Sequence, residues 1–268
     1  MKDNKLSNIE NYSIGALTGL AEVLVTNPFF VIKTKIQQKK PWVLTPMAYY
    51  KGAFANALGF IPSTAIQVGT KKWMEAKIFN NQPTYIQQIG SAFSAGVLSS
   101  AISCPIEKIM ILQNEHAKIS FTNLIRSHFK TKGLSGFFVG HLATALRDGG
   151  FSVCFLAAPP LIKSQLKSYG FDDASANILS GISSGIIAML LTQPFDTIKT
   201  LQQSSHDSKL GFFKIAKQTN LCALFKGSVA RGSSLILSIS FMDWFKEKLE
   251  NIYAEEKKSF SNKFDPNA

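Results

Sequence analysis

Three prolines, each standing where an apolar run turns basic and glutamine-rich, recur along this chain: Pro28 in NPFFVIKTKIQQ, Pro105 in CPIEKIMILQN and Pro194 in QPFDTIKTLQQ. A second landmark, aromatic-X-Gly, recurs beside them at Tyr50-Lys51-Gly52, Phe138-Val139-Gly140 and Phe225-Lys226-Gly227. The glycines are 88 and 87 residues apart, and the next proline follows a glycine after 53 and then 54 residues. Two landmark sets with matching offsets mark one structural unit copied three times in series. Approximate repeat bounds are 12–85, 86–172 and 173–254 within a single domain of 1–268, with a polar tail at 255–268.

Each unit carries two apolar stretches, about 12–37 and 53–76, 87–113 and 141–166, and 174–203 and 228–250. All are near the roughly 20 residues that cross a bilayer as a helix. Only helices satisfy the backbone there without an edge to close. The expected fold is therefore an all-α membrane protein of six transmembrane helices, in three pseudo-threefold repeats of two, with both termini on one side. Small residues at close spacing, Gly15-xxx-Gly19, Ser91-xxx-Ala95 and Gly181-xxx-Gly185, let helix backbones approach. Pro28, Pro105 and Pro194 fall inside the first helix of each pair, where each removes a backbone hydrogen bond and kinks the helix. Three equivalent kinks draw three helix ends together and close a funnel.

Hydrophobic residues make up 46% of the chain and charged ones 17%, yet mean hydropathy is only +0.08. Many polar residues must then lie inside the helices, facing each other or a wet cavity. The net charge of +12 is spread out or sits at the ends of apolar runs. No basic stripe interleaved with aromatics suggests nucleic acid. Cys104, Cys154 and Cys222 are odd in number and far apart, with no disulfide or zinc spacing. The four histidines are scattered, and no catalytic constellation or cofactor motif is evident. The first residues, MKDNKLSNIENYS, have the character of neither a secretory signal nor a transit peptide. The tail from Glu255 is polar and expected to be disordered.

Proline, an acid two residues on, a base five on, a glutamine nine on and a later aromatic-X-glycine together resemble the signature of the mitochondrial carrier family. The resemblance covers nearly the whole chain, and its triple occurrence makes it specific. It implies solute exchange by alternating access across the mitochondrial inner membrane, by a monomer, with no cofactor. It also implies a matrix-side ring in which the base of one repeat pairs with the acid of the next. Here the acid positions read Phe30, Glu107 and Asp196, and the base positions Lys33, Met110 and Lys199. Only Lys33 with Glu107 keeps both charges; Asp196 and Lys199 lose their usual partners. Gln37, Asn114 and Gln203 stand where the family braces this gate. Either the gate is weakened, or apolar contacts at Phe30 and Met110 stand in for charge. At the opposite gate, Lys72/Glu75, Pro160/Lys163 and Glu247/Glu250 cannot form the family's ring as written.

The resemblance places the solute at mid-membrane, seven and eight residues after the glycines: Gly59-Phe60, Arg147-Asp148 and Ser234-Leu235. Arg147 and Asp148 are the only adjacent opposite charges inside an apolar span. They form either a structural pair, with each other or with Glu22, or a solute site in which Arg147 grips a carboxylate by its fork. The closest likeness is to S-adenosylmethionine carriers. It rests on the short loop from Pro28 to Gly52, helix 2 as GAFANALGFIPSTAI with its Gly59 and Pro62, the Arg-acid pair, and KGSVARGSS in helix 6. On that likeness, Asn56, Gly59, Phe60, Phe151, Arg231, Ser234 and Glu22 join Arg147 and Asp148 as site candidates. Phe60 or Phe151 offers a ring to an adenine or a cation. Nucleotide, amino-acid and oxodicarboxylate carriers remain alternatives, as does an adaptor that no longer transports. A soluble basic helical protein is a further alternative. Gly52, Gly140 and Gly227 open the second helix of each unit, where the family binds cardiolipin at helix N-termini; ordinary turn glycines explain them equally.

Overall fold

A computed structural model describes residues 6–37, 50, 53–115, 121–204, 211–225 and 228–263. Among these residues the chain is helical, with no strand. The order is α1 (Asn8–Gln37), α2 (Ala53–Lys77), α3 (Tyr85–Glu115), α4 (Phe121–Lys132), a 3-10 turn (Leu134–Phe138), α5 (His141–Leu156), α6 (Ala158–Ser168), α7 (Asp173–Ser204), α8 (Phe212–Gln218), α9 (Leu221–Leu224) and α10 (Ser228–Lys263). Pro28, Pro105 and Pro194 lie inside α1, α3 and α7.

The helices close a ring. α1 packs on α2, α2 on α3, α3 on α5, α5 on α7, α7 on α10, and α10 back on α1. Three of these helix pairs meet through small residues. A Cβ on Gly15 would sit 2.6 Å from the carbonyl oxygen of Thr64, joining α1 to α2. Gly96 lies against the backbone of Asp148 and Gly149, joining α3 to α5. Gly181 and Gly185 meet Ser240 and Ile236, joining α7 to α10. Without side chains at these points the axes approach closely, and dispersion contacts accumulate along the seam.

Along α7 the polarity runs opposite to that of a helix on a soluble protein's surface. Ile178, Ile182, Ile186 and Leu190 form an exposed stripe at every fourth residue of α7. The same helix buries Ser180, Ser184, Thr192 and Gln193. Among the described residues, two stretches, Tyr85–Ile109 and Asp173–Gln203, are long and apolar enough to cross a membrane. Outward aliphatics with inward polar groups suit a bundle in lipid around a polar centre.

Two expectations are corrected. The single helix at 141–166 is broken at Ala157 into α5 and α6. Pro159 and Pro160 have no N–H to give the carbonyls of Phe155 and Leu156, so two successive helical bonds are lost. The expected disorder from Glu255 does not hold as far as Lys263, where α10 ends. Ala254 to Lys258 are mostly strong helix formers, and Lys257 pairs with Glu10 of α1 at 3.7 Å.

Candidate functional site

A cavity of about 310 Å³ lies inside the ring, lined from five helices, α1, α2, α3, α5 and α10. α1 supplies Glu22 and Asn27, α2 supplies Gly59, Phe60 and Gln67, and α3 supplies Ser103 and Glu107. Arg147, Asp148 and Phe151 come from α5, and Arg231 and Leu235 from α10. Seven sequence candidates thus converge on one space: Glu22, Gly59, Phe60, Arg147, Asp148, Phe151 and Arg231. Ser234 does not; its neighbour Leu235 faces the cavity, since one residue turns a helix by 100°. The side chain of Asn56 lies outside the described residues.

Charge is concentrated on one guanidinium. Arg147 Nε and Nη2 donate to Asp148 Oδ1 at 2.9 and 2.7 Å. Nη2 also donates to Glu107 Oε1 at 2.8 Å, and Nη1 to Asp196 Oδ1 at 3.2 Å. Three carboxylates from α3, α5 and α7 therefore surround it. Asp148 is held from its other oxygen by Ser103 Oγ, which donates at 2.5 Å. Burying an isolated charge costs several kcal/mol, and this degree of pairing offsets it. The pairing of Arg147 with Asp148 is present; the alternative with Glu22 is not. Glu22 Oε1 instead accepts from Ser238 Oγ at 2.8 Å and Thr26 Oγ1 at 3.0 Å.

The gate at the proline end differs from expectation. Lys199 and Asp196 are not left without partners. Lys199 pairs with Glu107. Asp196 meets Arg147 at 3.2 Å and Arg231 Nε at 3.6 Å. Cations from α5 and α10 thus stand in where Met110 carries no charge. Gln203 donates through Nε2 to the Val139 carbonyl at 3.2 Å, and its main-chain carbonyl oxygen accepts from Lys108 Nζ at 2.8 Å. The side chains of Phe30, Lys33, Gln37, Met110 and Asn114 lie outside the described residues, so the Lys33–Glu107 expectation falls there too.

The opposite end is also corrected. Lys72 of α2 meets Glu250 of α10 at 3.3 Å, and Lys163 of α6 meets Glu247 of α10 at 2.8 Å. Lys71 bonds Glu75 along its own helix at 2.6 Å. Charges that could not form the family's ring by position nonetheless bridge three helices. A second cavity of about 270 Å³, lined by Lys71, Lys72, Lys246 and Glu250, sits at this end. One apolar cluster packs Phe60 and Phe151 of the first cavity with Val68 and Leu156 of the second.

Sequence reading missed Gln67 and Ser103, each a polar residue in an otherwise apolar run, and did not join Glu107 to Arg147. The polar interruptions in STAIQVG and SAISCP were the available signal. Of the three helix-opening glycines, Gly140 precedes α5 with φ of 82°, a left-handed conformation that favours glycine. Gly52 and Gly227 lie outside the described residues.

A mitochondrial glycine transporter of Kluyveromyces lactis is 28% identical over 251 residues, covering 78% of this chain and 85% of that protein. A mitochondrial carnitine carrier of Saccharomyces cerevisiae is 27% identical, covering 74% and 72%. A mitochondrial citrate transporter of Aspergillus niger is 24% identical, covering 88% and 89%. The family model of the mitochondrial carrier protein matches residues 81–170 and 172–257. With that match over more than half its length, the chain belongs to the mitochondrial carrier family.

Proposed function

We propose that this carrier exchanges a small zwitterionic metabolite bearing a carboxylate and a cationic group, with S-adenosylmethionine against S-adenosylhomocysteine as the leading pair. α1, α2, α3, the broken α5–α6, α7 and α10 are read as six transmembrane segments of a monomer in the mitochondrial inner membrane. Cardiolipin is the expected lipid partner at Gly52, Gly140 and Gly227.

One observation carries the substrate class. Glu22, Glu107 and Asp148 line the cavity against Arg147 and Arg231, an excess of one negative charge. Adding the paired Asp196 and Lys199 leaves that excess unchanged. Such a site favours a solute with a positive group and penalises a carboxylate-only anion. Arg147 is the carboxylate partner, Glu22 and Asp148 are the cation partners, and Phe60 and Phe151 offer ring faces to an adenine or a sulfonium. The volume suits a ligand of this size. Glycine and carnitine, named for two relatives, are zwitterions; citrate, named for the third, is not. The oxodicarboxylate alternative shares citrate's disadvantage.

The adaptor alternative rested on gates without charge partners. Lys199–Glu107, Lys72–Glu250 and Lys163–Glu247 remove that support. The test is uptake into liposomes of labelled S-adenosylmethionine, glycine, carnitine and citrate. S-adenosylmethionine uptake that is lost in Arg147→Ala is the expected result. Citrate alone would overturn the substrate class, and no uptake of any solute would restore the adaptor.

A further inference from the structure

Gln67 of α2 is buried and lines the first cavity, yet only half of its amide is bonded. Nε2 donates to Ser99 Oγ of α3 at 3.0 Å. Ser99 spends its one proton on the Gly96 carbonyl at 2.8 Å, so toward Gln67 it can only accept. That bond fixes which end of the amide is turned to α3: the nitrogen. The carbonyl oxygen Oε1 is left over, buried, and without a hydrogen-bond partner among the described residues. Nearby donors are committed elsewhere. One turn away along α2, Ser63 and Thr64 give their protons to the backbone of their own helix, and Lys71 bonds Glu75 at 2.6 Å. On the cavity wall, Nε, Nη1 and Nη2 of Arg147 each donate to a carboxylate, and Arg231 donates to Gln193 Oε1 at 3.3 Å. A buried acceptor without a donor is costly. A group lodged in the cavity is the source left to supply one.

We infer that Gln67 is a specificity-determining residue whose Oε1 accepts an N–H from the ammonium of the bound solute, a role that rests on the carrier function proposed above and narrows its substrate class. The carrier then selects an ammonium that keeps at least one proton over a fully methylated one of equal charge. Glu22 and Asp148 attract either kind, because charge attraction needs no N–H. A carbonyl oxygen does need one, aligned near its lone pair. A trimethylated ammonium offers only weaker C–H contacts and leaves Oε1 unpaired. A site built to bond an N–H rejects the analogue that lacks it more sharply than an apolar pocket rejects an added methyl. Glycine and S-adenosylmethionine both carry a primary ammonium. Carnitine, named for one relative, carries a trimethylated one. Ser99 makes the choice rigid, since the amide cannot turn its N–H toward the solute without giving up the bond to α3.

The experiment measures uptake of glycine and of its N-methyl, N,N-dimethyl and N,N,N-trimethyl derivatives by full-length protein in liposomes. S-adenosylmethionine and its N-trimethylated derivative form a second series. All the glycines are zwitterions of the same charge, and only the trimethylated one lacks an N–H. In wild type the rate should fall about tenfold or more at the last methyl, matching one hydrogen bond to a charged group. Gln67→Met and Gln67→Leu keep the bulk and remove the acceptor. In them the step at the last methyl should shrink to the size of the steps before it, because solutes with an N–H lose their advantage. A role in packing alone would slow every derivative in parallel and keep the step, and that outcome overturns the assignment. So does a wild type without the step, the result expected if water satisfies Oε1 throughout. If one variant fails to fold, the other carries the same comparison. A wild type that moves zwitterions with no step in either series sinks the role of Gln67 and spares the carrier. A wild type that moves no solute of either series sinks both.

Discussion

Glu22 of α1, which lines the cavity, accepts a hydrogen bond from the buried Ser238 of α10 at 2.8 Å, and among the described residues no ion pair reaches it. Every other acid lining this space has a cation beside it. Glu22 is also well buried, and among the described residues the hydroxyls of Ser238 and Thr26 hold its carboxylate.

That isolation fits a group whose cationic partner arrives with the solute. Glu22→Gln keeps the size and the hydroxyl contacts but removes the charge. Uptake of a zwitterion should fall about tenfold or more, the worth of one hydrogen bond to a charged group. Ser238→Ala, which leaves the carboxylate and its charge in place, should lower uptake less than Glu22→Gln does. Initial rates and apparent KM in liposomes decide it. Equal rates for Glu22→Gln and wild type would remove Glu22 from the solute site.

The architecture was legible because it is written in periodic features. Proline and glycine recur at fixed offsets, so the places of the long helices and most of their bounds follow from the chain alone. Arg147 and Asp148 also stood out, since a charge in an apolar run has few places to go except a polar centre. Which acid meets which base was not legible. Arg147 reaches Glu107 and Asp196 on other helices, and such pairings depend on helix rotation and on long, flexible side chains. An offset of one residue, as between Ser234 and Leu235, turns a group by 100° and changes what it faces. The break at Ala157 was readable in principle from Pro159-Pro160, but the unit's repeat pattern argued for an unbroken helix.

Helix seams can be probed apart from transport. Gly185 packs α7 on α10, and a Cβ added there would lie 2.5 Å from Ile236 Cα. Backbone cannot yield as a side-chain tip does, so Gly185→Ala should destabilise by about 1–3 kcal/mol, as overpacking does. Gly90 is exposed within α3, and a Cβ there meets nothing within 4 Å. Gly90→Ala should leave stability unchanged or raise it by about 0.5–1 kcal/mol, the helix preference of alanine over glycine. Melting temperatures in detergent should therefore move down for the first variant and stay level or move up for the second. A fall in both would mean that small residues matter throughout and not at the seams.

Two inter-helix pairs, Lys72–Glu250 and Lys163–Glu247, share α10 as their acidic partner. Their side chains are partly open to solvent, so each contributes only about 0.2–1 kcal/mol. Breaking one should therefore change rates by a few-fold rather than abolish transport. Lys72→Glu places three acids, with Glu75 and Glu250, around the second cavity and should slow closure of that end. The reversed pair Lys72→Glu with Glu250→Lys restores attraction across the same helices. Exchange rates should fall in the single variant and recover in the double, and the deficit should shrink as salt is raised. Should the double variant be no faster than the single, the pair is incidental to gating, and closure at this end depends on the apolar cluster around Val68 and Leu156 instead.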